Sequence, residues 1–407
     1  MPPSSRTRDL LRHPPYLFLT AANGVSQIGD RLGHMAIIGL IAVLRPGEYG
    51  AFGSMSVALA LPVLLLSPFT GYLSDRFSRK GLLLTADLVR ALLLVALAFV
   101  SHRQPSLTAV YVGVFFLVGW TLLFNVAKSA YLPDLVPSEL LLPANAWNAV
   151  VVRLTTVVGA VVGGWLSDML GPMQALTANA LTYGVSFALL LRLPAIPPRR
   201  QTSPSMNRFS SHHLRLPHIR PGLLAFAGGG LMFWSSAVAF TLLIPVIQQQ
   251  LGLKNTGVGV AGGLLAVGLG IGIVGLGMVS ESWLPFLIRA SSLVMGGMIA
   301  LAGLVQQPAA WLVGSFLAGL AMSPLLVGVD TLLQRIYARE ERGSAFALKE
   351  FLGAVAFVGG SVGMGWAADR YGLTPVLALA ALPYLFPLLL PTPVIRDGEI
   401  SDPAPAG

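Results

Sequence analysis

Long apolar runs alternate with short polar segments along the whole chain. A bilayer core about 30 Å thick requires roughly 20 apolar residues for one helical crossing. Twelve runs meet this requirement and predict twelve transmembrane helices. They cover residues 16–44, 49–73, 81–101, 107–131, 143–169, 172–193, 222–250, 256–279, 286–306, 309–334, 344–368 and 372–393.

One polar segment is longer than the others and separates six spans from six. Residues 194–221 are rich in proline, serine and arginine, which is typical of a linker. We therefore predict an N-terminal six-helix half (1–193), a cytoplasmic linker (194–221), a C-terminal six-helix half (222–393) and a cytoplasmic tail (394–407).

A short internal repeat supports the division into two halves. Residues 159–171 read GAVVGGWLSDMLG and residues 360–372 read GSVGMGWAADRYG, with six identities at an offset of 201. Both stretches end the fifth span of their half. The expected fold is an all-α polytopic membrane protein, with two pseudo-symmetric six-helix halves related by an axis along the membrane normal.

Composition and charge agree with this architecture and exclude several classes of protein. Hydrophobic residues make up 55% of the chain and charged residues 11%, whereas soluble domains carry about 25% charged residues. The chain has no cysteine, which excludes disulfides and thiolate metal or cofactor sites. We expect no metal and no cofactor.

The basic residues are distributed unevenly between the two sides of the predicted membrane. With the N-terminus inside, 18 Lys and Arg residues fall in cytoplasmic segments or at the cytoplasmic ends of spans, and 4 fall in outer loops. This bias follows the positive-inside rule. The net charge of +9 therefore reflects topology and not nucleic-acid binding. We expect a multi-pass protein of the inner or plasma membrane with both termini cytoplasmic.

The segment between spans two and three carries the most specific motif. Residues 71–80 read GYLSDRFSRK, which resembles the signature loop of the major facilitator superfamily, G-x-x-x-D-R-x-G-R-[R/K]. The resemblance implies the major facilitator fold and a conformational gating role for Gly71, Asp75, Arg76, Arg79 and Lys80. Ser78 replaces the family's second glycine, so a tighter or strained turn is expected there.

Two shorter stretches, SQIGD at 26–30 and YLPDLV at 131–136, are similar to the drug:proton antiporter branch of macrolide and siderophore exporters. Lysophospholipid transporters are similar there too. The resemblance implies proton-coupled export of a small amphipathic compound by alternating access. The antiporter motif of span five has Ala160 where the family has proline, and Gly159 and Gly163 also fit a pure helix-packing role.

Polar residues form one face of span one. Asn23, Gln27, Asp30 and His34 lie within about 60° of one another on a helical projection. Charges within spans are costly and usually functional, so Asp30 and His34 are candidates for proton exchange. The alternatives are a static ion pair of Asp30 with Arg31 or Arg153, and direct contact with substrate.

Other charged residues within spans offer further candidates. Arg153 is expected to be the counter-charge of Asp30 or of an anionic substrate. Asp330 on span ten suits either a gate salt bridge or proton coupling. Asp87 and Arg90, three residues apart, are typical of a structural pair. Lys349 and Glu350 open span eleven and are expected to meet the signature loop.

In the superfamily, helices one, four, seven and ten line the central cavity. The resemblance therefore adds polar and aromatic residues of these helices to the substrate-cavity candidates, with lipid-facing or packing roles as the alternative for tryptophan. The candidates on these helices are Asn23, Gln27, Trp120, Asn125, Trp234 and Ser323; Arg153 of span five joins them as the group that would face an anionic substrate.

Three rival functions remain beside the exporter. A lipid or lysophospholipid flippase has the same fold. An intramembrane enzyme requires a catalytic motif. No H-E-x-x-H stands in the chain, and the one G-x-S-x-G match, residues 359–363, lies inside predicted span eleven and not on a strand-to-helix turn, so we expect a non-enzyme. A sensor usually carries a soluble output domain. The expected partners are a small-molecule substrate, protons and the lipid bilayer, with the protein as a monomer.

The predicted topology is testable because the chain has no cysteine background. A Ser205→Cys variant places a single thiol in the predicted cytoplasmic linker. A membrane-impermeant maleimide should label it in inverted vesicles and leave it unlabelled in intact cells. Labelling from outside intact cells would contradict the topology.

Overall fold

The structure is a computed structural model that describes residue 10 and residues 12–196, 219–337 and 341–392. Most of the predicted linker and the predicted tail lie outside the described residues. Side chains at a few positions also lie outside this description, including Asp75 of the signature loop. These positions are Ser67, Pro68, Gly71, Tyr72, Asp75, Ser138 and Leu142.

The described ranges consist of helices joined by short loops and contain no β-strand. Eleven helices are long and apolar enough to cross a membrane, and a 17-residue apolar helix follows them. The twelve helices are α1 Pro14–Leu44, α2 Tyr49–Arg76, α3 Arg79–Arg103, α4 Leu107–Leu135, α5 Leu141–Leu170, α6 Pro172–Leu191, α7 Ile219–Gln250, α8 Lys254–Leu276, α9 Leu284–Ala302, α10 Pro308–Ile336, α11 Arg342–Tyr371 and α12 Leu373–Leu389. The all-α polytopic fold class is confirmed.

Burial along α3 is the reverse of that in a soluble helix. Phe99 and Leu92 are about 60% exposed, whereas Asp87 and Arg90 are completely buried. Lipid is as apolar as these outward side chains, so their exposure carries no penalty. Charged groups must instead find partners inside the bundle.

Backbone contacts divide the chain into two compact units. The first contains residues 1–204 and 243–263, and the second contains residues 205–242 and 264–407. In the first unit α1 packs on α5 and α6, α3 packs on α4 and α6, and α2 packs on α4. In the second unit α7 packs on α11, and α9 packs on α10 and α12.

Glycines on α1 allow α6 to approach closely. A Cβ atom added at Gly33 would lie 2.2 Å from Asn179 Nδ2, and one added at Gly29 would lie 1.8 Å from Thr182 Oγ1. Only glycine leaves room for these polar side chains of α6 beside the α1 backbone. This is the small-xxx-small packing that lipid-embedded helices use.

The first turn of α8 is fixed by a carboxylate at the end of α5. Asp168 accepts hydrogen bonds from the backbone N–H groups of Asn255 (3.0 Å) and Thr256 (2.7 Å) and from the Thr256 hydroxyl (2.6 Å). A helix N-terminus has unsatisfied N–H groups and positive dipole charge, so the carboxylate serves as its cap. Asp168, one of the identities of the internal repeat, therefore stabilises the N-terminus of α8.

Asp168→Ala should destabilise the protein by about 1–2 kcal/mol, because two backbone donors of α8 lose their charged acceptor. The apparent melting temperature in detergent measures this loss. Glu281→Ala is the matched control, since it removes a 45% exposed carboxylate that contributes little. Equal melting temperatures for the two variants would contradict the capping role.

Candidate functional site

A cavity of about 360 Å³ lies within the first unit. Helices α1, α2, α3, α4 and α6 contribute its walls. The lining residues are Gln27, Asp30, Arg31, Gly33, His34, Ile37, Met55, Leu59, Leu94, Val114, Leu117, Val118, Thr121, Asn125, Asn179 and Tyr183. Its volume is at the lower end of the range for small-molecule sites.

The cavity is amphipathic along its length. Consecutive helices joined by short loops run antiparallel, so the early residues of α2 and α4 lie level with the later residues of α1. At that level the lining residues are apolar, among them Ile37, Met55 and Val114. Polar residues such as Asp30 and Asn179 come from the middle of their helices. One end of the cavity therefore offers hydrogen bonds and the other an apolar surface.

Arg90 of α3 is the centre of a buried charged cluster at the polar end. Its guanidinium forms an ion pair with Asp87 and lies 3.7 Å from Asp30 Oδ1. Its Cζ atom also lies over the rings of Phe124 (4.4 Å from the centroid) and Tyr183 (4.3 Å). These two cation–π contacts and two carboxylates hold one fully buried cation in place.

Asp30 connects the cluster to the cavity. Its Oδ1 accepts a hydrogen bond from the Tyr183 hydroxyl and faces Arg90, and its side chain is 20% exposed. The cation that faces Asp30 is therefore Arg90, and not the expected Arg153 or the alternative Arg31. Arg153 is an exposed residue of α5, whereas the Gly159 face of that helix packs on α1.

Amide side chains extend the polar network from α1 toward α4 and α5. Asn23 is fully buried; its Nδ2 donates to Asn148 (3.2 Å), and its Oδ1 accepts from Lys128 Nζ (2.9 Å). Asn23 is therefore buried in the packing between helices and does not line this cavity. Lys128, counted from sequence at the cytoplasmic end of span four, is only 9% exposed. It also contacts Asn125 (3.4 Å), which lines the cavity.

Three further cavity candidates pack within their own units. Trp120 packs against the hydrophobic cluster around Tyr16 and Tyr131. Trp234 Nε1 donates to the Ala380 carbonyl (2.8 Å). Ser323 is buried against Gly272, and its hydroxyl bonds to the Leu320 carbonyl of its own helix. The cavity in the first unit does not include them. They were expected there because helical periodicity alone does not distinguish a cavity face from a packing face.

Asp330 has a basic partner in the second unit. Lys349 Nζ lies 2.7 Å from Asp330 Oδ1 and 3.0 Å from Glu350 Oε1. The stem of Lys349 passes over Gly229 of α7, where a Cβ atom would be 2.7 Å from Lys349 Cγ. This arrangement joins α7, α10 and α11.

The signature loop ties the ends of three helices together. Arg79 pairs with Asp134 at the end of α4 and donates to the Ala130 carbonyl. Lys80 donates to the carbonyl oxygens of Leu191 and Leu193 at the end of α6. The basic groups of the signature loop thus provide hydrogen-bond donors for carbonyl oxygens at helix C-termini. Arg76 at the end of α2 is exposed.

The expected strain at Ser78 is wrong. Its φ is −62° and its ψ is 126°, an ordinary extended conformation, and its side chain accepts a hydrogen bond from the Gly81 N–H (3.2 Å). Serine is one of the preferred N-cap residues. It therefore begins α3 without the conformational freedom of glycine.

Comparison with protein families identifies the fold family. The model of the Major Facilitator Superfamily matches residues 24–348. The chain belongs to the Major Facilitator Superfamily. Its overall fold is similar to the crystal structure of nucleoside transporter NupG, with a TM-score of 0.71 at 11% identity, covering 92% of this chain and 97% of that one.

Several transporters of the superfamily are similar in sequence. Macrolide efflux protein A of Streptococcus pyogenes is 24% identical over 365 residues, covering 87% of this chain and 89% of that protein. Enterobactin exporter EntS of Escherichia coli O127:H6 is 29% identical over 334 residues, covering 80% and 77%. The uncharacterized transporter YfiS of Bacillus subtilis is 27% identical over 176 residues; the chain spans 41% of its length. The protein is thus a transporter and not an enzyme.

Sequence reasoning did not assign four residues to the polar site: Asn179, Tyr183, Lys128 and Arg31. The signals were present. Asn179 and Tyr183 are polar residues four apart on span six, and a lysine or arginine inside a span is itself a sign of function. Gly29 and Gly33 also indicated where α6 approaches α1.

The buried pair around Arg90 should be essential for stability. Arg90→Ala leaves Asp87 and Asp30 without their cation, and breaking a buried pair costs about 3–5 kcal/mol. Arg45→Ala is the control, because its pair with Glu48 is about half exposed and contributes about 0–1 kcal/mol. Thermal unfolding of both variants in detergent measures the difference. A similar small shift for both would refute the central role of Arg90.

Proposed function

We propose that the protein is a proton-coupled exporter of a small amphipathic compound, working by alternating access, with Asp30 as the proton-exchanging residue. The observation that carries this proposal is the position of Asp30. It lines the cavity and at the same time faces the buried guanidinium of Arg90. A proton arriving from the cavity would thus change the interaction that joins α1 to α3.

Two carboxylates share one arginine, and only one of them reaches the cavity. Asp87 is completely buried, whereas Asp30 is partly exposed and lines the cavity wall. Protonation of Asp30 would weaken its attraction to Arg90 and leave Arg90 to Asp87, a partner on the same helix. The contact between α1 and α3 would loosen while the charge within α3 stays balanced.

The second unit provides an internal comparison for this cluster. Tyr384 stands at the repeat offset of 201 from Tyr183, and it bonds to the hydroxyl of Ser235 on α7. In the second unit the tyrosine therefore packs with a neutral serine, whereas in the first unit Tyr183 bonds to the carboxylate of Asp30. This contrast supports a function for the charge of Asp30 beyond helix packing.

Relatives support the direction and the broad substrate class. The similar proteins named for macrolide efflux and enterobactin export favour export, and the amphipathic cavity suits compounds with a polar and an apolar end. We propose that the protein acts as a monomer in the inner or plasma membrane, with both termini cytoplasmic and the signature loop at the cytoplasmic gate.

Asp30→Asn should abolish gradient-driven transport, because asparagine keeps the shape of a protonated aspartate but exchanges no proton. The measurement is substrate accumulation in proteoliposomes with an imposed pH gradient, using a panel that includes a macrolide and enterobactin. We expect accumulation to fall to the level without a gradient, while downhill exchange continues.

Two variants serve as controls. Asp30→Glu keeps a titratable carboxyl and should retain part of the coupling. Ser235→Ala removes the corresponding bond to Tyr384 in the second unit and should leave coupling intact. Uphill accumulation by Asp30→Asn with an unchanged pH dependence would assign coupling elsewhere, with Asp330 as the next candidate.

A further inference from the structure

Two groups on the cavity wall have unused hydrogen-bonding capacity. Asp30 Oδ1 is engaged by Tyr183 and faces Arg90, while Oδ2 makes no hydrogen bond to a described residue. The Nε atom of Arg31 is buried and has no hydrogen-bond partner among the described residues. An unmade bond of a buried donor is costly, so a ligand that supplies an acceptor there gains stability.

Arg31 is held against the cavity by the packing of α5. A Cβ atom added at Gly159 would lie 2.9 Å from Arg31 Cβ and 3.1 Å from its Cγ. The glycine thus leaves a passage for the arginine stem between α1 and α5. No described acidic side chain lies within ion-pair distance of Arg31, although the residue lines the cavity.

Formal charge around the cavity disfavours cationic ligands. The carboxylates of Asp30 and Asp87 face the guanidinium of Arg90, and the ammonium of Lys128 and the guanidinium of Arg31 add two further positive charges. With all five groups ionised, the cluster carries a net positive charge. A ligand ammonium group would be repelled by this net charge.

We propose that the cavity selects uncharged, oxygen-rich amphipathic compounds, in which a hydroxyl donates to Asp30 Oδ2 and a neighbouring oxygen accepts from Arg31. The apolar body of the ligand lies against the end formed by Ile37, Met55 and Leu117. Catechols and vicinal hydroxy-ethers have this chemistry. The inference rests on the proposed transport function of the same cavity.

This mode of binding explains how a proton and a ligand exclude one another. Ionised Asp30 is a charged acceptor, and such hydrogen bonds are roughly twice as strong as neutral ones. A proton on Asp30 removes that acceptor and weakens ligand binding. The charged and titratable groups facing Asp30 are Arg90 and Asp87 from α3, Tyr183 from α6, Lys128 from α4, and Arg31 and His34 from α1.

Equilibrium dialysis of the full-length protein in phosphatidylcholine nanodiscs, with empty nanodiscs subtracted, tests the proposal without any gradient. The probes share one ring system: 2,3-dihydroxynaphthalene donates and accepts, 2,3-dimethoxynaphthalene only accepts, and 2-naphthylmethylamine is a cation. We expect the diol to bind roughly tenfold more tightly than the dimethoxy compound, from one charge-assisted hydrogen bond. The amine should bind most weakly.

Substitutions separate the two contacts. Asp30→Asn should reduce the preference for the diol and its dependence on pH, while binding of the dimethoxy compound is unchanged, which also shows that the variant is folded. Arg31→Gln should weaken both oxygen-bearing probes by roughly tenfold and keep their ratio. Arg31→Lys should restore part of that affinity. Arg153→Gln, an exposed arginine on α5, is the matched control and should bind as the unsubstituted protein does.

Tightest binding of the amine, equal binding of the diol and dimethoxy probes, or no binding of any probe would overturn the inference. So would unchanged affinities in Arg31→Gln. These outcomes are separate from those of the transport assay. A protein that binds the diol as expected but accumulates substrate without proton coupling contradicts the proposed function alone.

Discussion

Lipid surrounds the helix bundle, so a buried positive charge must be neutralised by groups within the protein. In the first unit this constraint applies to Arg90. Its guanidinium is completely buried, and the penalty of desolvation is repaid only with good geometry around it. Asp30 from α1, Asp87 from α3, Phe124 from α4 and Tyr183 from α6 supply that geometry. A rotation or shift of any of these helices would cost one of the contacts. The cluster therefore fixes the register of four helices beside the cavity.

The two units share a scaffold and differ in chemistry. Lys80 at the start of α3 bonds to carbonyl oxygens at the end of α6, and Arg289 of α9 bonds in the same way to the Pro387 and Leu390 carbonyls at the end of α12. The ion pairs that accompany them have exchanged signs, with Arg79–Asp134 in the first unit and Glu281–Arg335 in the second. The anchoring contacts are therefore repeated.

The charged cluster is not repeated around the corresponding tyrosine. Tyr183 bonds to a carboxylate, whereas Tyr384 bonds to Ser235. A hydroxyl pair costs far less to bury than a cluster of ions, so packing alone gives no reason for the charges of the first unit. The asymmetry between the two units is consequently more informative about function than the features that they share.

Sequence patterns predicted the helices well, because the thickness of a bilayer leaves little freedom in their length. The edges agree within a few residues, and the main extension is that of α4 to Leu135. The face of α1 that carries Gln27, Asp30 and His34 was also predicted, and all three line the cavity.

Partners across helices were not predictable in the same way. Periodicity tells which residues share a face but not which neighbouring helix that face meets. Arg153 and Arg90 both lie inside spans, so the sequence does not tell which of them faces Asp30. The glycine contacts of α1 with α5 and α6 set the orientation of α1 and so determine the partner. Side chains such as Asn179 and Trp234 were misjudged or missed for the same reason.

The two oxygens of Asp30 connect ligand chemistry to helix packing. Oδ1 faces the scaffold, where Tyr183 and Arg90 meet it, and the side chain also lines the cavity. A ligand or proton changes a conformational equilibrium only through a difference in its affinity for the two states. Here that difference arises within a single carboxylate, because a proton taken up at the cavity side also removes the charge that Oδ1 presents to Arg90. The link between binding and the α1–α3 contact therefore requires no chain of intermediate residues.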